Sequence, residues 1–204
     1  MRIAIVHYHR RRGGVTRVID TTAQALREAG DTVAIVSGES VAGLDYADLQ
    51  ATPDAGEIAD AMERRARALL EADPDVWHIH NHHLGRNPAA TAAFRGLARR
   101  GHRVLFHIHD FPEDGRPANY RALHNAFGGR LSDVLYPAAP NVHYAVLNSR
   151  DRDALLHAGI PANQLHLLPN PIERAPVPDR SGVSDLALYP TRALRRKNIG
   201  EFLL

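Results

Sequence analysis

Three short stretches hold the residues best equipped for chemistry. The densest is His78-Ile-His80-Asn-His82-His83, with four histidines in six residues. Imidazole is a transition-metal ligand, and when neutral it donates a hydrogen bond at one nitrogen and accepts at the other. In an extended chain His78 and His80 point the same way. No carboxylate or cysteine nearby completes a tetrahedral metal set, so the stretch reads first as hydrogen-bonding histidines lining a cleft. The second stretch is His107-Ile-His109-Asp110. Here His107 and His109 share one strand face, and Ile108 and Asp110 share the other. As the last strand residue, His109 is placed to hydrogen-bond a ligand hydroxyl; a packed histidine with one satisfied nitrogen is the other reading. The third stretch runs from Tyr8 through Arg10, Arg11, Arg12, Gly13 and Gly14 into a helix start. Paired glycines let backbone amides approach a ligand, and the partial positive charge of a helix N-terminus favours an anion. A plain tight turn is the alternative, and the three arginines read as solvated loop residues.

Several chemistries are excluded. The dinucleotide fingerprint Gly-x-Gly-x-x-Gly, the phosphate loop Gly-x-x-x-x-Gly-Lys-Ser/Thr and the nucleophile elbow Gly-x-Ser-x-Gly are all missing. There is no cysteine, hence no disulfide and no thiol chemistry, and a reducing cytoplasm is the expected setting. All but one of the 25 basic residues are arginine, the exception being Lys197, and the formal charge is only +2. That balance does not make a nucleic-acid binder, which gathers its positive charge on one face. No apolar run reaches the roughly 18 residues of a membrane span, and the first residues read as a buried strand rather than a secretory signal. A chain of 204 residues suffices for one substantial core and the start of another.

The elements that must position these residues alternate. Short apolar runs predict strands at Arg2–His7, Thr32–Ser37, Val76–His80, Arg103–His109, Val142–Leu147 and Gln164–Leu168. Helical spacing links Val15, Val18, Ile19, Ala23 and Leu26, with Gly30 as the stop. Further helices are expected from Ile58 to Leu70, from Pro88 to Gly101, from about Asn119 to Phe127, and from Arg150 to Ala158 with Ser149 as N-cap. One short strand is expected near Gly43–Leu49, and the helix ending at Phe127 is followed by irregular chain up to Pro140. Strand and helix in alternation predict an α/β fold with a doubly wound, Rossmann-like parallel sheet. Residues 171–185, rich in proline, read as a linker. A fresh strand at Leu186–Tyr189 and a helix opening at Ile199 read as a truncated second domain. Ligands of such sheets bind beyond the carboxyl ends of the strands, where strand order reverses.

In order and spacing the pieces resemble glycosyltransferase family 4 of the GT-B fold. The resemblance rests on Ile3-Ala-Ile-Val, Gly13-Gly14, Asp75-Val-Trp-His-Ile-His80, Val104-Leu-Phe-His-Ile-His-Asp110, Ala145-Val-Leu-Asn-Ser-Arg150, Leu167-Leu-Pro-Asn170-Pro and Leu188-Tyr-Pro-Thr-Arg192-Ala-Leu-Arg-Arg-Lys197-Asn. It implies a GT-B N-terminal, acceptor-side domain over residues 1–170 and the beginning of a nucleotide-sugar-binding domain at 186–204. It implies transfer of a hexosyl group, with retention of anomeric configuration, from a nucleotide diphosphate sugar to a sugar, polyol or lipid-linked acceptor. His109 matches the histidine that contacts the donor sugar; Gly13, Gly14 and Asp110 fall in the cleft loops. Arg192 and Lys197 match the cations that neutralise the departing diphosphate, so neither cofactor nor metal is expected. Nucleic acid is not an expected partner; a peripheral membrane contact is compatible with a lipid-linked acceptor. The 204-residue piece alone is expected to be inactive. Thr191, Pro171 and Asn198 stand where the family often has glycine, which loosens the subfamily. A noncatalytic sugar-binding module, a nucleotide-sugar epimerase and a glycosyl phosphorylase are the alternatives.

Overall fold

In the computed structural model, residues 1–45, 53–114 and 116–172 are described, all within the unit Met1–Ile172. Strand β1, Arg2–His7, is buried along nearly its whole length, as its unbroken apolar run requires of a central strand. Helix α1, Gly14–Glu28, turns Val18, Ile19 and Ala23 inward and ends before Gly30, whose φ of +90° is a left-handed stop. Strand β2, Thr32–Ser37, pairs with β1 in parallel, Ile5 opposite Ile35. Helix α2, Ala55–Leu70, opens with a reciprocal cap: the Glu57 amide donates to Asp54 Oδ1 at 2.8 Å, and the Asp54 amide to the Glu57 carboxylate at 3.2 Å.

Strand β3, Val76–His80, returns to the other side of β1. Helix α3, Pro88–Arg99, has Asn87 as its N-cap and Pro88 in its first turn, and buries Phe94 and Leu97. Strand β4, Val104–Ile108, pairs with β3; strand β5, Val142–Val146, with β4; and strand β6, Leu165–Leu167, with β5. The result is a six-stranded, all-parallel sheet in the order β2-β1-β3-β4-β5-β6, a Rossmann-like α/β fold. The large core, with Trp77, Ile79, Phe106 and Tyr144 from the strands and Met62, Phe94 and Leu155 from helices, lies on one face. Ile3, Ile5, Ile19 and Ala23 form a smaller cluster on the other.

The differences from expectation are local. Residues 117–127 form helix α4, Pro117–Phe127, two residues longer than predicted because Pro117 is a favoured first helical residue. The stretch after it is not irregular throughout: a 3₁₀ turn, Gly128–Arg130, runs into helix α5, Leu131–Leu135, which buries Val134 and Leu135. Helix α6, Ser149–His157, is capped by Asn148, not Ser149; the extended Asn148 accepts from the Asp151 amide at 2.9 Å. Residues 43–45 are turn and bend rather than strand, and the rest of that expected strand lies outside the described residues. So do the expected linker from residue 173 on, the strand Leu186–Tyr189, and both Arg192 and Lys197. Among the described residues no helix is long and apolar enough to cross a membrane.

Candidate functional site

The sheet order reverses between β1 and β3, so the loops leaving β1, β3 and β4 share the carboxyl-end crevice where open α/β sheets take ligands. The β1 loop begins with Tyr8, fully buried, whose hydroxyl donates to the His82 carbonyl at 3.0 Å. Thr16 Oγ1 donates back to the Arg11 carbonyl at 2.7 Å and ties the loop to α1. Arg10 and Arg11 are not merely solvated: Arg10 pairs with Asp20, and Arg11 with Asp45. Arg86, from the β3 loop, reaches Asp45 at 3.2 Å and donates to His9 Nε2 at 3.0 Å, which stitches the two loops together.

Gly13 precedes α1 with an extended backbone, φ 176°, and both glycines are exposed. A Cβ on Gly14 would meet nothing within 4 Å, and one on Gly13 only the Arg11 carbonyl at 3.8 Å. Neither packing nor a left-handed φ asks for glycine at these two positions. The first turn of α1 has no side-chain cap hydrogen bond.

His109 lies one residue beyond β4, half-buried, and its amide donates to Asn81 Oδ1 at 2.8 Å. Its Nε2 is 2.8 Å from His80 Nδ1. Burial pushes its imidazole down to about 3, helped by neighbouring His107 and His7 and opposed by a hydrogen bond to the Asn170 side chain. At neutral pH it is therefore uncharged and carries one N–H. Asp110, on the opposite strand side, accepts from Arg116 at 2.7 Å. His109 packs on the rings of His80 and His107, as the packed-histidine reading expects.

The histidine-rich stretch divides in two. His82 and His83 belong to the large core: His82 stacks on Phe106 with centroids 3.8 Å apart and donates from Nε2 to the Leu135 carbonyl at 2.6 Å. His83 sits edge-on to Phe111 and Tyr136. His78 and His80 face the other side of the sheet, where β4 brings His107 beside them, His107 opposite His80. Both are buried, as is His107. Burial lowers His78 to about 3 and His107 to about 4, and His80 falls well below its ordinary value for the same reason. The rings of His78, His80, His107 and His109 overlap at centroid distances of 4.4 to 5.3 Å. The ligand nitrogens of His78, His80 and His107 all lie within 4.8 Å of one another. Spacing inside residues 78–83 does not show this set, because its third member comes from the next strand; the alternation of His107 and His109 was the available signal.

The profile of Glycosyltransferase Family 4 matches residues 12–175. The chain belongs to glycosyltransferase family 4. It resembles the mannosylglucosyl-3-phosphoglycerate synthase of Petrotoga mobilis (strain DSM 10674 / SJ95), with 29% identity over an alignment 241 positions long. That alignment covers 98% of this chain and 47% of the relative, so the chain spans about half the length of the curated relative it matches. No solved structure matches. The family 4 match begins at the β1 loop and includes β3, β4 and both cleft loops that follow them.

Proposed function

We propose that the full-length protein transfers a hexosyl group from a nucleotide diphosphate sugar to an acceptor, with retention of configuration. Residues 1–170 are then the acceptor-side domain, 171–185 the linker, and 186–204 the start of the donor-binding domain. The observation that carries this reading is the uncapped start of α1 behind two glycines that the surrounding protein does not require. A ligand approaching the backbone accounts for them, and a helix start favours an anionic one. His109 contacts the donor sugar: neutral, it adds no charge to compete with the diphosphate, and a sugar hydroxyl exchanges for the Asn170 side chain as its hydrogen-bond partner. Asp110, held by Arg116, lines the same loop. Arg192 and Lys197 stabilise the charge that develops on the leaving diphosphate, so the transfer itself needs no metal.

The acceptor is a sugar, polyol or lipid-linked species. The relative's name, with its phosphoglycerate, supports one that carries an anionic group near the arginine-rich β1 loop. The absence of cysteine supports a cytoplasmic setting. The test is His109→Ala in the full-length protein. Turnover is expected to fall by on the order of 10²-fold or more, the range positioned groups supply, with melting unchanged. Unchanged turnover refutes the role, as does a loss explained by melting alone.

A further inference from the structure

Among the buried histidines on the β3–β4 face, one hydrogen bond fixes a proton position. His107 Nε2 is 3.2 Å from the Leu168 carbonyl, which can only accept, so the proton is on Nε2 and Nδ1 holds a bare lone pair. That lone pair lies 3.1 Å from His78 Nε2. On the second pair, His109 Nε2 lies 2.8 Å from His80 Nδ1, so one proton is shared between these two nitrogens. His80 Nε2 has no hydrogen-bond partner, in a side chain that is 0% exposed. A buried imidazole nitrogen without a partner has a desolvation cost that a bound group would relieve.

We propose that His78, His80 and His107 form a binding site for a late first-row divalent cation such as Zn²⁺, a cross-link between β3 and β4. Three nitrogens from three neutral rings, with a fourth position for water, make a set suited to such ions and not to Mg²⁺ or Ca²⁺. Two imidazole nitrogens on one tetrahedral Zn²⁺ at about 2.05 Å stand roughly 3.3 Å apart, close to the separation of His78 from His107. Binding asks only that His78 move its proton from Nε2 to Nδ1, so no proton need leave the protein. The Leu168 carbonyl is the outer partner that orients His107, a role such acceptors play for metal-bound histidine. Ligation through His80 Nε2 puts the His80 proton on Nδ1, 2.8 Å from His109 Nε2, so the cation also orients His109. The site is distinct from the cations proposed for the diphosphate and stands or falls separately from the transfer reaction.

The experiment is titration of tag-free, chelator-stripped full-length protein with Zn²⁺ by calorimetry, with X-ray absorption at the zinc edge on the loaded protein. The expected result is one tightly bound equivalent, a rise in melting temperature, and three imidazole nitrogens at about 2.0–2.1 Å. His107→Ala and His78→Gln should each weaken binding by on the order of 10²-fold or more, in line with the dependence of such sites on ligand count. His143 and His166 form an exposed imidazole pair, Nδ1 to Nε2 2.8 Å, which offers a competing surface site. The double variant His143→Ala, His166→Ala should keep the tight equivalent. Loss of binding in that double variant, an absorption spectrum without three imidazoles, or no uptake by the wild-type protein overturns the proposal. The absorption measurement decides the matter even where a histidine variant fails to fold.

Discussion

Gly85 sits in the β3 loop with φ +67°, and its alanine variant has a cost that can be worked out atom by atom. A Cβ there would lie 2.7 Å from Leu123 Cγ, 2.8 Å from Leu123 Cδ1 and 2.8 Å from the Asn119 carbonyl oxygen. Leu123 is fully buried and cannot swing into solvent, and the Asn119 oxygen is backbone of α4. The left-handed conformation costs about 1–2 kcal/mol for a residue with a side chain. Displacing packed atoms adds about 1–3 kcal/mol. Gly85→Ala should therefore lose roughly 2–5 kcal/mol, or about 4–20 °C in a domain of this size. Gly101 is the control: its φ is +89°, but a Cβ there meets nothing within 4 Å. Gly101→Ala should lose only the conformational part, about 1–2 kcal/mol. Urea melts of the 204-residue chain, followed by the fluorescence of Trp77, its one tryptophan and a fully buried one, measure both. Equal losses for the two variants would show that α4 yields freely and that the contact reasoning is wrong.

Two further outcomes can be stated briefly. Asn148→Ala should cost about 1 kcal/mol through loss of the α6 cap, while Ser149→Ala stays within about 0.5 kcal/mol; the reverse order in urea melts would reassign the cap. The 204-residue chain should neither transfer sugar nor bind nucleoside diphosphate sugars tightly, because Arg192 and Lys197 need a complete second sheet to aim them. Calorimetry showing micromolar binding would put the donor site in residues 1–204 and refute its placement in the second domain.

What could be read from the residues followed the strength of the local pattern. The unbroken apolar runs of β1 to β5 have one good solution, a strand buried on both faces, and each lies within a residue or so of its expected position. Helix α5 was not legible because five residues give too short a sample of helical period, and its burial depends on α3 and α4 beside it. Asn148 and Ser149 are both good caps; only the extended backbone at Asn148 separates them. The least legible feature was the grouping of His78, His80, His107 and His109. Period-two alternation gives each pair its face, but nothing local says that β3 neighbours β4, or that His80 stands opposite His107. The core placement of His82 and His83 was equally hidden, since it is supplied by Phe106, Phe111, Tyr136 and Tyr144 from distant positions.

The strand order β2-β1-β3-β4-β5-β6 also bears on how the chain leaves the ribosome. From β4 onward each new strand pairs with the one synthesised just before it, so the sheet lengthens at one edge in the order of translation. Only the β1–β3 pairing reaches back, across β2 and α2. A nascent chain that pauses before Val76 thus holds β1 with one whole edge unpaired, and that strand is among the most apolar of the fold. Unpaired apolar edges are templates for pairing with other chains, so the window between the emergence of β1 and of β3 is where a chaperone has most to shield.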